Sequence, residues 1–105
     1  MAIGSVEDTG QWFYVHDKSG KETVAMQRNS FFEVKLLGFC DDFFLIKDKN
    51  SYFTYNQVGK QLGTLILDSS YQFDKIQKNN MIFISDNKIY SYDKSGKMIA
   101  SRQNN

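Results

Sequence analysis

Short runs in which apolar and polar residues alternate, each bounded by Gly, Asn, Asp or Ser, follow one another from residue 11 to residue 102. They fall at 11–16, 22–27, 31–37, 43–47, 52–56, 62–67, 72–77, 81–85, 89–93 and 98–102, and are rich in β-branched and aromatic residues. A period of two puts successive side chains on opposite faces of an extended chain, so each run predicts a strand. No stretch of ten or more residues carries helical periodicity with caps; the nearest, 31–37, lacks both. The expectation is about ten strands and essentially no helix.

Between certain runs the same turn recurs. Asp17-Lys18-Ser19-Gly20 and Asp93-Lys94-Ser95-Gly96 share the pattern Asp-x-x-Gly, and Asn56-Gln57-Val58-Gly59 is its Asn variant. Asp or Asn at the first corner accepts a bond from backbone N–H two residues on, and Gly at the last corner adopts the positive φ of a short hairpin. The glycines stand at 20, 59 and 96, intervals of 39 and 37, and each is followed by a lysine, Lys21, Lys60 or Lys97. A period near forty residues is that of propeller blades and related β-repeats.

Grouped on these turns, the chain divides into a flexible lead-in at 1–10 and a single β-repeat domain at 11–105. The domain holds a half unit at 11–27 and full units at 31–67 and 71–102. The fold class expected is all-β: short antiparallel strands and hairpins in two to three repeated sheet units, arranged as a propeller, sandwich or barrel. Two and a half units cannot close a ring, so first and last strands remain as open edges, and the chain lacks proline to guard them. Such sheets must curl on themselves or associate.

Tyr71-Gln72-Phe73-Asp74-Lys75-Ile76, then 81–85, then 88–99, resembles a WG-type repeat, and also a propeller blade ending in Tyr-x-x-Asp-x-x-Gly-Lys-x-Ile. Phe32-Glu33-Val34 and residues 11–24 fit the same frame more loosely. The Trp-Gly pair that names WG repeats is replaced by Ile89-Tyr90 and Tyr52-Phe53, and Trp12 is followed by Phe13. The resemblance is strongest over 31–102. It implies a propeller-like repeat and no fixed activity.

Composition narrows the function classes. With 13 basic and 12 acidic residues the formal charge is +1, too little for a dedicated nucleic-acid binder. Cys40 is the single cysteine, which excludes an internal disulfide and fits a reducing compartment. The first residues lack a basic and then apolar leader, and no apolar run approaches the ~18 residues of a membrane span. A cytoplasmic protein without membrane partners is the expectation.

Candidate chemistry is sparse. His16 is the only histidine and has no Cys or His at ligand spacing, which fits a polar strand residue better than a base or metal ligand. Cys40-Asp41-Asp42 places a thiol beside two carboxylates, but adjacent strand residues point apart and no general base is near in sequence, so a solvated turn is favoured. The Gly-Lys turns lead into strands rather than helices and are not phosphate loops. No metal, cofactor or catalytic constellation emerges, and the chain reads as a non-enzyme.

Aromatics make up 15% of residues, and Trp12, Tyr14, Tyr52, Tyr55, Tyr90 and Tyr92 all precede the repeated turns, which makes them the candidate binding residues. The competing reading is that alternate aromatics fill a β core. Tyr52 and Phe53 point to opposite faces, so some aromatics must be exposed or covered by a second sheet or a partner. The function expected is a protein-interaction module, binding a second copy or another protein through an aromatic sheet face or an open strand edge. The alternative is a small intracellular inhibitor of the immunity or anti-defence kind. Single-stranded nucleic-acid or carbohydrate binding ranks behind both.

Overall fold

The computed structural model describes residues 2–27 and 34–103. Among them are eleven strands and no helix. Sheet 1 comprises β1 (Ile3–Asp8), β2 (Trp12–Asp17) and β3 (Glu22–Gln27). Sheet 2 comprises β4 (Val34–Phe39), β5 (Phe44–Asp48), β6 (Ser51–Tyr55) and β7 (Gln61–Ile66). Sheet 3 comprises β8 (Gln72–Gln77), β9 (Asn80–Ser85), β10 (Lys88–Tyr92) and β11 (Met98–Gln103). Each is an antiparallel meander in chain order. The protein is therefore all-β, in three repeated sheet units. Residues 31–33 of the strand expected at 31–37, and with them Phe32-Glu33, lie outside the described residues.

One sequence expectation is corrected. Within the flexible lead-in expected at 1–10, Ile3–Asp8 form β1, and Ile3 is only 1% exposed. The β1–β2 register shifts between Ile3 and Ser5, so the period of two that marks a strand is broken where it would have been read. The half unit at 11–27 thereby becomes a three-stranded sheet.

The three repeated turns share one geometry. Asp17 Oδ1 accepts bonds from the backbone N–H of Ser19 at 2.9 Å and of Lys21 at 3.0 Å. Asp93 Oδ1 does the same with Ser95 and Lys97, and Asn56 Oδ1 with Val58 and Lys60. Gly20, Gly59 and Gly96 hold φ of 88°, 80° and 88°, and the N–H of each donates to the carbonyl of the Asp or Asn three residues back. A bulge precedes every turn, at Val15/His16, Thr54/Tyr55 and Ser91/Tyr92. Two tighter hairpins join the strands of sheet 3 through Lys78-Asn79 and Asp86-Asn87, all four at positive φ as a two-residue turn of this hand requires.

The sheets stack in chain order, with β1 beside β4 and β4 beside β8. Sheet 2 is the middle layer, and β5 shows why: Phe44, Leu45 and Ile46 are consecutive and all buried. Phe44 and Ile46 enter a core shared with Ile3, Phe13 and Val15 of sheet 1. Leu45 and the adjacent Phe43 enter a second core with Tyr52 and Leu65, closed by Met81, Phe83 and Tyr92 of sheet 3. A strand buried on both faces loses its polar alternation, and each such side chain contributes about 1.5–3 kcal/mol of burial.

The turns lock the layers together. The hydroxyl of Thr23 in sheet 1 donates to the carbonyl of Gln57 in the turn of sheet 2 at 2.5 Å. The hydroxyl of Thr54 in sheet 2 donates to the carbonyl of Lys94 in the turn of sheet 3, also at 2.5 Å. Gln57 and Lys94 occupy the same place in their turns. The turns of sheets 2 and 3 thus each rest on the sheet before, and Gly63 makes room for the second contact, since a Cβ there would meet the backbone of Lys94 and Ser95.

Candidate binding faces

Cross-strand register fixes which side chains share a face. On sheet 1, Phe13, Val15, Val24 and Met26 face sheet 2. No other described strand packs on the opposite face, which carries two rows, Glu7–Tyr14–Ala25 and Ser5–His16–Glu22, with Trp12 beside Gln27 at one end. Trp12 is 37% exposed and stacks on Tyr14 with ring centroids 6.4 Å apart. Threonine 9 ties down the start of this strand: its Oγ1 accepts from the Trp12 N–H at 3.1 Å.

On sheet 3, Met81, Phe83 and Tyr92 face sheet 2. The other face carries the rows Gln72–Ile84–Ile89–Arg102 and Lys75–Ile82–Ser91–Ala100. Ile82, Ile84 and Ile89 are half-buried, and Ile82 and Ile89 line a concavity of about 270 Å³ with Ser91 and Ala100. The two outer faces differ in charge. Glu7 and Glu22 lie on that of sheet 1, Lys75 and Arg102 on that of sheet 3.

The six candidate aromatics do not share one surface. Tyr52 and Tyr92 are 3% and 7% exposed and lie edge-on to Phe83 in the core between sheets 2 and 3. Tyr55 stacks on Phe44 between sheets 1 and 2, and Tyr90 packs against the second core and Tyr71. Burial holds the hydroxyls of Tyr52, Tyr55 and Tyr92 above the usual tyrosine range. Four of the six are therefore structural, and only Trp12 and Tyr14 stand on an uncovered face. Of the neighbours that point oppositely, Tyr52 is covered by sheet 3, whereas Phe53 is half-buried and lines a concavity with Phe13 and Met26 of sheet 1. Sequence reasoning missed Ile82, Ile84 and Ile89, although Ile82 and Ile89 align on the turn with the buried Leu45 and Tyr52.

The turn residues Asp17, Gly20, Asn56, Gly59, Asp93 and Gly96 all sit at the positions the pattern assigns. The Ser19 hydroxyl, then the backbone N–H of Lys21, hold the Asp17 carboxyl below its ordinary range, and Ser95 and Lys97 do the same for Asp93.

The acidic loop after β4 is clasped from both sides. Asp41 pairs with Lys18 of the sheet 1 turn at 3.0 Å, and Asp42 lies 3.9 Å from Lys94 of the sheet 3 turn. Both pairs are well exposed and add little stability, but they point the two carboxylates to different neighbours. Cys40 packs half-buried against the second core, and burial pushes its thiol up, away from the reactive thiolate. His16 lies on the outer face of sheet 1 beside Ser5 and Glu22. Among the described residues no three His, Cys, Asp or Glu side chains gather as a metal site. Nor is any helix long and apolar enough to cross a membrane.

The fold and its surfaces define an all-β protein of three stacked meanders with two unlike uncovered ends. Comparison with protein-family models, curated proteins and solved structures finds no match.

Proposed function

We propose that this protein is a non-enzymatic interaction module that binds protein through the end faces of its three-sheet stack. One observation carries the reading. Sheet 2 is covered on both sides by its neighbours, whereas among the described residues sheets 1 and 3 each leave one face uncovered, and apolar side chains stand on both. Trp12, braced by Tyr14 and by the Thr9 hydroxyl, is a preorganised aromatic anchor of the kind that dominates protein interfaces. Three meanders with matching turns, stacked in one sense with their first strands adjacent, also support assignment to the WG-type or propeller-like repeats.

Affinity capture from the native source tests this reading. A protein retained by the wild type should be retained by Val58→Ser, which alters an exposed apolar residue in a turn, and lost with Trp12→Ser. As the sole tryptophan, Trp12 also reports occupancy of its face by a shift in emission. Equal retention by the Trp12→Ser protein would overturn the assignment of that face.

A further inference from the structure

We infer that the outer face of sheet 3 receives the outer face of sheet 1 from a second copy of this chain, in a head-to-tail contact that continues the stack. This rests on reading the end faces as binding surfaces and names the partner.

Equivalent positions in the three sheets can be compared by counting from the turn glycine. Seven residues before the turn glycine, Phe13 and Tyr52 are buried against the next sheet; in sheet 3 that position is Ile89. Five before it, Val15 is buried and Thr54 donates to the turn of the next sheet; there sheet 3 has Ser91. Four after it, Val24 and Gly63 lie under the next turn; there sheet 3 has Ala100, small and exposed. Leu62 packs into the core toward sheet 3, whereas its equivalent Ile99 is 50% exposed. The surface that twice receives a following sheet is thus rebuilt on sheet 3, where the chain supplies no fourth sheet among the described residues.

A second copy fits that surface in chemistry as well as in place. Its sheet 1 turn presents the carbonyl of Lys18 where Gln57 and Lys94 present theirs, as acceptor for the Ser91 hydroxyl. Its outer face brings Glu7 and Glu22 toward Lys75 and Arg102, and Trp12 with Tyr14 toward the isoleucines. A sheet 3 to sheet 3 pairing would instead set Lys75 and Arg102 against their own copies. On sheet 1, Ser5 and Glu7 stand where sheets 2 and 3 bury Phe44 with Ile46 and Met81 with Phe83. The contact is therefore less apolar than the internal ones and forms reversibly. Two copies place six sheets in succession, within the four to eight of closed propellers.

Sedimentation over a concentration series tests this. The wild-type mass should rise from 12.2 kDa with concentration, toward twice that value for a closed pair. Ala100→Arg blocks the sheet 3 face and Trp12→Ser weakens the sheet 1 face; both positions are exposed, so the fold should survive, as circular dichroism would verify. Each variant alone should stay at 12.2 kDa, while an equimolar mixture, which retains one intact contact, should recover a two-chain species. Ala25→Arg provides a second block on the sheet 1 face. A wild-type monomer at every concentration, wild-type association by folded Ala100→Arg, or a mixture that stays monomeric would overturn the inference. A monomer that still captures another protein through Trp12 would sink this contact and leave the proposed function standing.

Discussion

Replacing Gly63 by alanine tests how the layers are held. Gly63 lies in β7, and its φ lies outside the left-handed region, so an alanine is allowed there by the backbone itself. Space forbids it: an ideal Cβ would lie 2.5 Å from the Ser95 carbonyl oxygen, 2.7 Å from that of Lys94, and closer still to the Ser95 carbonyl carbon. These distances are about 1 Å short of ordinary contact, and the neighbours are backbone rather than a side chain that can swing away. The turn of sheet 3 must lift off sheet 2. Overpacking of this kind costs about 1–3 kcal/mol. Loss of the Thr54 to Lys94 hydrogen bond adds about 1 kcal/mol, and the reduced freedom of the unfolded chain returns about 0.4–1. The net expectation is a loss of about 1–3.5 kcal/mol, built from those terms. With a urea slope of about 1.5 kcal/mol/M, the unfolding midpoint falls by about 0.7–2.3 M. Ala100→Gly at the equivalent place in sheet 3 should cost under about 1 kcal/mol. Thr54→Val should destabilise by about 1–2 kcal/mol, and less than additively with Gly63→Ala, because both act on one turn. If Gly63→Ala lies within about 0.5 kcal/mol of wild type, the turn does not bear on β7 and the account of how the sheets interlock fails.

Other consequences are open to measurement. Phe44→Ala empties a fully buried site between sheets 1 and 2 and should cost about 3–5 kcal/mol by urea titration. Tyr52→Ala should destabilise by a similar amount, whereas Trp12→Ser on the open face should change stability by under about 1 kcal/mol. Asp17, Asp68 and Asp93 are held below the ordinary carboxylate range, each first by a serine hydroxyl, so the folded chain binds fewer protons than the unfolded chain in acid. Their contribution is complete above about pH 5 and fades as pH falls below about 4. Asp17→Asn with Asp93→Asn keeps the turn acceptor, as Asn56 does, and should flatten that acid decline in midpoint-against-pH curves. The Cys40 thiol should react with a disulfide reagent at pH 8 much more slowly folded than in denaturant, and equal rates would contradict its packing.

What the sequence determined by itself was local. Alternation places a strand by the geometry of one extended chain, and Asp-x-x-Gly makes its turn from bonds within five residues, so β2, β3 and β5–β11 and all three repeated turns were legible without tertiary knowledge. The bulge between Ile3 and Ser5 hid β1, because it interrupts the only periodic signal a strand emits. Which face of each sheet is covered could not be read locally. Tyr52 and Ile89 hold the same place before the same turn, yet one is core and the other open, because a following sheet packs on the first and none of the described strands packs on the second. The same holds for Trp12 and Tyr92, aromatic alike in strands that precede matching turns. Burial is a property of what lies across the gap between layers, and only the order in which three sheets stack decides it.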